Sequence, residues 1–311
     1  MIVAFIIAAV TIAFPKEGQQ LPAVDRTYMI GATDGGETNL VIQGVNVAVH
    51  PKGGWVTMVD VVAGTNTIEV GGVRRSFRVQ KKTTANNPLG QRTSSSVDYQ
   101  PPTYKKLPYA ADTPKPHPAG KSAGEITVVI EAGHGGSDTG AMAPHGRMEK
   151  DFNLALAKQV RDELTARGYK VVMTREDDSF PALYDRPKVA HRVGADAFIS
   201  IHHNAPAFDR DPRGLRYHAV YAWNEIGTNL AARINRRMAR ALGETLKSNG
   251  VMHANFAVTR NPEVPSCLVE ADFITSPEGE EAIWTPSCRR RTAAAIAAGF
   301  ADWSSRNENA D

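Results

Sequence analysis

The chain has 311 residues, 42% of them hydrophobic and 22% charged, with 26 Gly, 19 Pro and a net charge of +3. That apolar share supports a packed core and excludes a wholly disordered or collagen-like chain, and the length suits one or two domains. The charge excess is too small for a nucleic-acid-binding face, so no nucleic-acid partner is expected; two cysteines exclude a disulfide-rich scaffold and a Cys-built zinc finger.

The first segment is apolar from Ile2 to Phe14. No apolar run reaches about 20 residues, so no stable membrane span is expected. The run has the length of a signal-peptide core and contains Ala8, Ala9 and Ala13, but Met1 is followed directly by Ile2, without a basic leader. Residues 1–10 are read as a signal-peptide remnant of an exported protein, extracytoplasmic in the periplasm or cell envelope. Thr11 to Phe14 could equally be a strand of the next domain.

Residues 11–80 read as all-β. Short strands such as Trp55 to Asp60 and Thr67 to Val70 alternate with turns marked by Gly35-Gly36, Gly53-Gly54 and Gly71-Gly72. This spacing predicts a small β-sandwich. Its segments resemble the immunoglobulin-like accessory domains of secreted bacterial enzymes, and it is a candidate surface for an envelope partner. It holds no cluster of titratable groups that looks catalytic. Residues 81–123 lose all hydrophobic periodicity and carry Ser94-Ser95-Ser96, Pro101-Pro102, Pro108, Pro114, Pro116 and Pro118. They read as an extended, disordered linker.

From 124 to 311 strand and helix patterns alternate. Strands are expected at Ile126–Ile130, Tyr169–Met173, Ala197–Ile201, Leu215–Tyr221 and Cys267–Ala271. Helices are expected at Lys150–Arg167, Leu183–Val193, Asn224–Ser248 and, in part, Pro277–Trp303. The implied fold is α/β, a mostly parallel sheet with helices on both faces.

In such sheets ligands bind beyond the carboxyl ends of the strands. His134 follows the first strand, His202 ends the third and Glu270 lies near the end of the last. Glu149 immediately precedes the first helix, behind a Gly-rich loop that can fold back over the strand end. Two imidazoles and two carboxylates can therefore converge. Two His and one Glu are a common ligand set for a catalytic zinc with an open position, and a second Glu can act as general base toward water. There is no His-Glu-x-x-His helix and no Gly-x-Ser-x-Gly elbow.

Four blocks in order carry a resemblance. They are Val129-Ile130-Glu131-Ala132-Gly133-His134-Gly135-Gly136 with Asp138 and Gly140-Ala141; Glu149-Lys150-Asp151-Phe152-Asn153-Leu154; Met173-Thr174-Arg175 with Arg186, Ala195-Asp196 and Phe198-Ile199-Ser200-Ile201-His202-His203-Asn204-Ala205; and Phe256-Ala257-Val258, Pro265-Ser266 and Leu268-Val269-Glu270-Ala271-Asp272-Phe273-Ile274. Together they resemble the zinc-dependent N-acetylmuramoyl-L-alanine amidases of the amidase-3 type, bacterial cell-wall enzymes that separate daughter cells. The resemblance covers nearly all of 125–285.

It implies one Zn2+ per catalytic domain held by His134, Glu149 and His202, with Glu270 as the catalytic carboxylate and peptidoglycan as substrate. Glu131 departs from the family's usual Asp and is expected to act behind the ligands at most. Regulated relatives carry a long helical insertion that blocks the zinc; the short stretch from Tyr221 to Ala231 leaves no room for one.

Each residue also has a plainer reading. His50, His117, His145, His191, His218 and His253 are expected to be ordinary surface or core histidines. His203 neighbours His202 on a strand, where side chains alternate, so only one of the two can face the site. Arg233, Arg236, Arg237 and Arg240, like Arg289 to Arg291, read as solvated faces or contacts to anionic wall polymers. Cys267 and Cys288 could pair after export, or Cys267 could be a small buried residue. The rival functions are a zinc peptidase or carboxypeptidase acting on the stem peptide, and a wall-binding protein.

Overall fold

A computed structural model describes residues 9–34, 36–82, 105–106, 118, 120–260 and 264–305. The signal-peptide reading falls on residues 1–8, outside the described residues, except that Val10 already belongs to a strand. Most of the linker reading also lies outside them.

The first region has eight strands: β1 (Val10–Phe14), β2 (Gln20–Leu21), β3 (Arg26–Thr33), β4 (Asn39–Ile42), β5 (Val45–Ala48), β6 (Gly54–Asp60), β7 (Gly64–Val70) and β8 (Val73–Val79). They form sheets β1-β3-β6 and β2-β8-β7 and a β4-β5 hairpin. Their inward side chains, among them Trp55, Phe77, Leu21, Met29 and Ile30, make one apolar core. The alternation of buried and exposed residues along β4 and β7 is the period-2 signature of strands with one wet face.

The Pro-rich segment is not wholly without structure, as the sequence suggested. Lys105–Lys106 forms a two-residue strand, β9, and Ala123–Glu125 a 3-10 turn with a Ser122 capping box.

There follow β10 (Thr127–Ala132), α1 (Glu149–Ala166), β11 (Lys170–Met173), α2 (Arg186–Val193), β12 (Ala197–Asn204), β13 (His218–Ala222), α3 (Glu225–Leu242), β14 (Ser248–His253), β15 (Ser266–Phe273), α4 (Pro277–Trp284) and α5 (Pro286–Ser304). The sheet order is β11-β10-β12-β15-β13-β14-β9. The sheet is mixed, which corrects the expected mostly parallel one. β11, β10, β12 and β15 run parallel, but β13 is antiparallel to β15, and β9 to β14. A parallel return needs a crossover, usually a helix; residues 205–217 between β12 and β13 contain none, so the strand comes back the other way.

Two further expectations shift. The helix begun at Asn224 stops at Leu242, and Ser248–His253 is a strand instead. The last helical stretch breaks at Thr285-Pro286, where Pro286 opens α5.

One sheet face packs Ile130, Ile199, Ile201 and Val269 under α1, α3 and α5. The other packs Val129, Phe198, Tyr221 and Leu268 with Ala190 of α2. Helices therefore cover both faces. Cys267 lies in the first of these cores, and both cysteines are free thiols. Arg237 is taken up by Asp302 of α5, at 2.6 and 2.7 Å.

The two regions touch. The Phe14 ring stacks on Phe208 at 5.7 Å, and the Tyr28 amide donates to the Phe208 carbonyl. His145 sits between them, its Nε2 2.8 Å from the Lys52 carbonyl and its Nδ1 2.7 Å from Glu280.

Candidate metal centre

At the carboxyl ends of β10 and β12 the chain leaves the sheet, and here the polar residues gather. The loop after β10 folds back on itself: Gly135 and Asp138 exchange backbone hydrogen bonds, and the Glu149 amide donates to the Ala141 carbonyl. Glu149, first residue of α1, is thereby delivered to the strand ends.

His134, Glu149 and His202 form a group whose ligand atoms lie within 4.8 Å of one another, the arrangement among the described residues that could hold a metal ion. Glu149 Oε1 is 3.1 Å from His134 Nε2 and 3.0 Å from His202 Nδ1. The remaining contacts orient the donors. Asp138 Oδ2 lies 2.9 Å from His134 Nδ1, leaving Nε2 for the centre. Ala141 N donates to Glu149 Oε2, and Asn153 Nδ2 to Glu149 Oε1. His134 has φ of 59°, a left-handed conformation that a non-glycine residue adopts at a cost of about 1–3 kcal/mol and that recurs at functional sites.

Two glycines make room. A Cβ on Gly133 would fall 2.2 Å from His202 Nε2, and one on Gly140 would fall 2.6 Å from Glu149 Oε2 and 2.7 Å from His134 Cδ2.

Glu270 is the register partner of His202 across the parallel β12–β15 pair. Its Oε2 is buried without a hydrogen-bond partner. Burial pushes the carboxyl up to about 8, against the pull of His202. Glu149 behaves in the opposite way. Burial alone would raise it, but the bonds from His134 and His202 hold it well below the usual carboxylate range. Burial opposes the charge on His202, yet Glu149 raises it to about 9. A buried carboxylate oxygen without a hydrogen-bond partner, next to a tightly held carboxylate, suits a divalent cation, and two nitrogens and one oxygen make a borderline ligand set of the kind zinc accepts.

His203 turns away, as strand alternation requires. Its Nδ1 lies 2.8 Å from Asn153 Oδ1, and burial lowers it to about 4.

Glu131 is fully buried behind His202, taking a hydrogen bond from Arg186 Nη1 at 2.6 Å and one from Ser200 Oγ. Its Oε2 is 3.9 Å from His202 Nε2. Arg175 and Asn153 carry more of the site than the sequence reading gave them. Arg175 is buried and donates to the carbonyls of Ala132, Gly133 and Lys150, tying the strand end to α1. The available signal is a charged residue two positions past an apolar strand, where burial demands partners.

β13 runs into α3 through Trp223 and Asn224 alone, and the Asn224 side chain caps the helix by accepting from Gly227 N. No inserted helix lies between them.

Comparison with known proteins places this arrangement. The family model described as N-acetylmuramoyl-L-alanine amidase matches residues 128–302. The N-acetylmuramoyl-L-alanine amidase AmiA of Escherichia coli K12 is 35% identical, over 58% of this chain and 77% of that protein. Among solved structures, AmiC2 of Nostoc punctiforme has a TM-score of 0.56 and 34% identity, covering 60% of this chain and 100% of its own. The catalytic domain of CwlV from Bacillus (Paenibacillus) polymyxa var. colistinus has a TM-score of 0.54 and 32% identity, covering 57% and 97%.

Proposed function

The chain belongs to the N-acetylmuramoyl-L-alanine amidase family and hydrolyses the amide between N-acetylmuramic acid and L-alanine in peptidoglycan; we propose that it does so with one zinc ion held by His134, Glu149 and His202 and with Glu270 moving the proton. Held by His134, Glu149 and His202, a zinc ion would supply Lewis-acid chemistry for the lactyl carbonyl and would lower the pKa of water toward about 7.

The chain's own residues do the rest. Asp138 fixes the tautomer of His134. Asn153 and the Ala141 amide hold the Glu149 carboxylate in place. Glu131, anchored by Arg186 and Ser200, backs His202. Glu270 accepts the proton of the attacking water and returns it to the departing L-alanine nitrogen, so that the products are a lactyl carboxylate and a free amine. The observation that carries this reading is the unpartnered Glu270 carboxylate beside a compact His-Glu-His group.

The division of labour proposed with it assigns residues 124–311 to catalysis, 11–80 to an accessory β domain and 81–123 to the connection. Among the described residues no helix is long and apolar enough to cross a membrane. The substrate is a wall polymer, which supports an extracytoplasmic site of action.

Mass spectrometry of purified peptidoglycan, digested with and without chelator, tests the reading. Free glycan together with intact stem peptides is expected, lost on chelation and restored by zinc. Shortened stem peptides would indicate a peptidase instead.

A further inference from the structure

The connection from β11 to α2 emerges at the same sheet edge as the metal centre, because β11 runs parallel to β10. Of the eight large apolar side chains that stand exposed among the described residues, three fall within five positions of this connection: Phe180 (47% exposed), Leu183 (48%) and Tyr184 (67%). Scattered exposed apolar residues need no explanation, whereas a cluster does.

The start of this connection, with Phe180, is tied to the site. A Cβ on Gly136, two residues past His134, would meet the Phe180 Cβ at 3.0 Å. Asp178 accepts from Gly136 N at 2.9 Å and from Lys150 Nζ at 2.6 Å. Arg186 donates from Nε to the Pro181 carbonyl, and its guanidinium lies 5.8 Å from the Phe180 ring centre. The same Arg186 holds Glu131 behind His202. The lip and the metal centre therefore share their supports.

The position of Glu270 gives the substrate a direction. In the reading above, Glu270 delivers a proton to the leaving L-alanine nitrogen, so that nitrogen faces β15. The other substituent of the scissile carbonyl, the lactyl group and the sugar a few bonds beyond it, must then extend the opposite way along the sheet order, past β12 and β10 toward β11. That is where Phe180, Leu183 and Tyr184 stand. The other side, reached through β15 and β13, adds a cation and a phenol to an aromatic pair, Tyr217 against Phe273. There Arg210 and Tyr217 lie on the 205–217 loop, and both Arg210 and Glu270 act electrostatically on the Tyr217 hydroxyl. Sugar rings present C–H faces that stack on aromatic rings; stem peptides carry carboxylates and amides.

We infer that the Phe180–Tyr184 lip is the glycan-binding side of the cleft, with the saccharide strand lying across Phe180 and Tyr184 and the stem peptide directed over the β15–β13 side. This rests on the assignment of Glu270 as the group that protonates the leaving amine.

The test uses the full, zinc-loaded chain and glycan strands already stripped of stem peptides, which offer the saccharide alone. The unaltered protein binds them, and Phe180→Ala with Tyr184→Ala weakens binding about tenfold, two aromatic contacts at the usual size for such pairs. On intact wall the same double variant raises KM by a similar factor, while turnover at saturation and zinc content change far less, the pattern of lost uniform binding. Phe180→Tyr and Tyr184→Phe restore affinity. Arg210→Ala leaves the affinity for stripped glycan where it was.

Undiminished glycan binding by the double variant overturns the inference, as does loss of glycan binding on Arg210→Ala, which would reverse the substrate. So does failure of the unaltered protein to bind stripped glycan while it still releases intact stem peptides. If the unaltered protein releases no such peptides from wall, the amidase reading itself fails, and the two failures are told apart by the products.

Discussion

Buried polar groups divide the two regions of this chain. Among the described residues between Val10 and Val79, the buried polar side chains are those of Thr27, Thr33 and Thr57, none of them charged. In the α/β region the buried set includes Glu131, Glu149, Lys150, Asn153, Arg175, Arg186, His203, His218, Asp272 and Glu280. A buried charge is tolerated only with partners, and most of these have them: Arg186 with Glu131, Lys150 with Asp178, Arg216 with Asp272 and Arg147 with Glu280. The β region is stabilised by apolar packing, with no buried charge among its described residues. The α/β region accepts costly interior charges and concentrates them at one end of its sheet.

The sharpest way to test that contrast is to remove the donors. His134→Ala, Glu149→Ala and His202→Ala are each expected to lose the bound metal and with it essentially all activity, whereas His203→Ala retains the metal. Metal analysis of the purified variants decides it; zinc lost from the His203 variant but kept in the His202 variant would exchange their roles. Next in size, Glu270→Ala should keep the metal and slow turnover by about 10²–10⁴-fold. Near-normal rates with zinc in place would mean that another group moves the proton.

The stability cost should differ between the regions in the same way. Arg186→Met removes the guanidinium from the buried Glu131, leaving it the Ser200 hydroxyl, and is expected to cost about 3–5 kcal/mol in denaturant unfolding. Arg74→Ala removes the exposed pair with Glu69, and there the change should stay within about 1 kcal/mol. Equal losses would show that the interior pair is no special burden.

A smaller effect concerns acid. His218 is fully buried, neither ring nitrogen has a partner, and burial lowers it from 6.5 to about 4. Between those values the unfolded chain takes up a proton that the folded chain refuses. Its contribution is therefore fully present above pH 6.5 and is lost as pH falls toward 4. His218→Asn should flatten the decline of stability across that window, as followed by chemical denaturation at several pH values; an unchanged slope would assign the acid sensitivity to other groups.

Much of the centre could be read from the chain because its parts sit in local frames. A strand followed by Gly133-His134, a helix opened by Glu149 and the alternation at 202 and 203 each fix a side chain within a few residues. What could not be read depends on direction or distance. Nothing in His218–Ala222 says whether the strand runs with or against its neighbour. Ser248-Asn249-Gly250 lacks any period-2 pattern, so the sequence marks no strand after the helix expected to end at Ser248, where β14 begins. Arg175 and Asn153 look ordinary until their carbonyl and imidazole partners arrive from elsewhere in the chain. His145 likewise reads as a surface histidine, yet it bridges Lys52 and Glu280 across 93 and 135 positions of sequence.

The two residues of β9 have a consequence for colloidal behaviour. Without them β14 would end the sheet as an open edge, with a row of unpaired amides and carbonyls that a strand from another molecule could extend. Lys105–Lys106 pairs with His253 and Met252 at that edge. A cover only two residues long offers a newcomer little ladder to continue. The edge at which two copies could add to one another is thus partly closed by a segment whose composition suggests only a spacer.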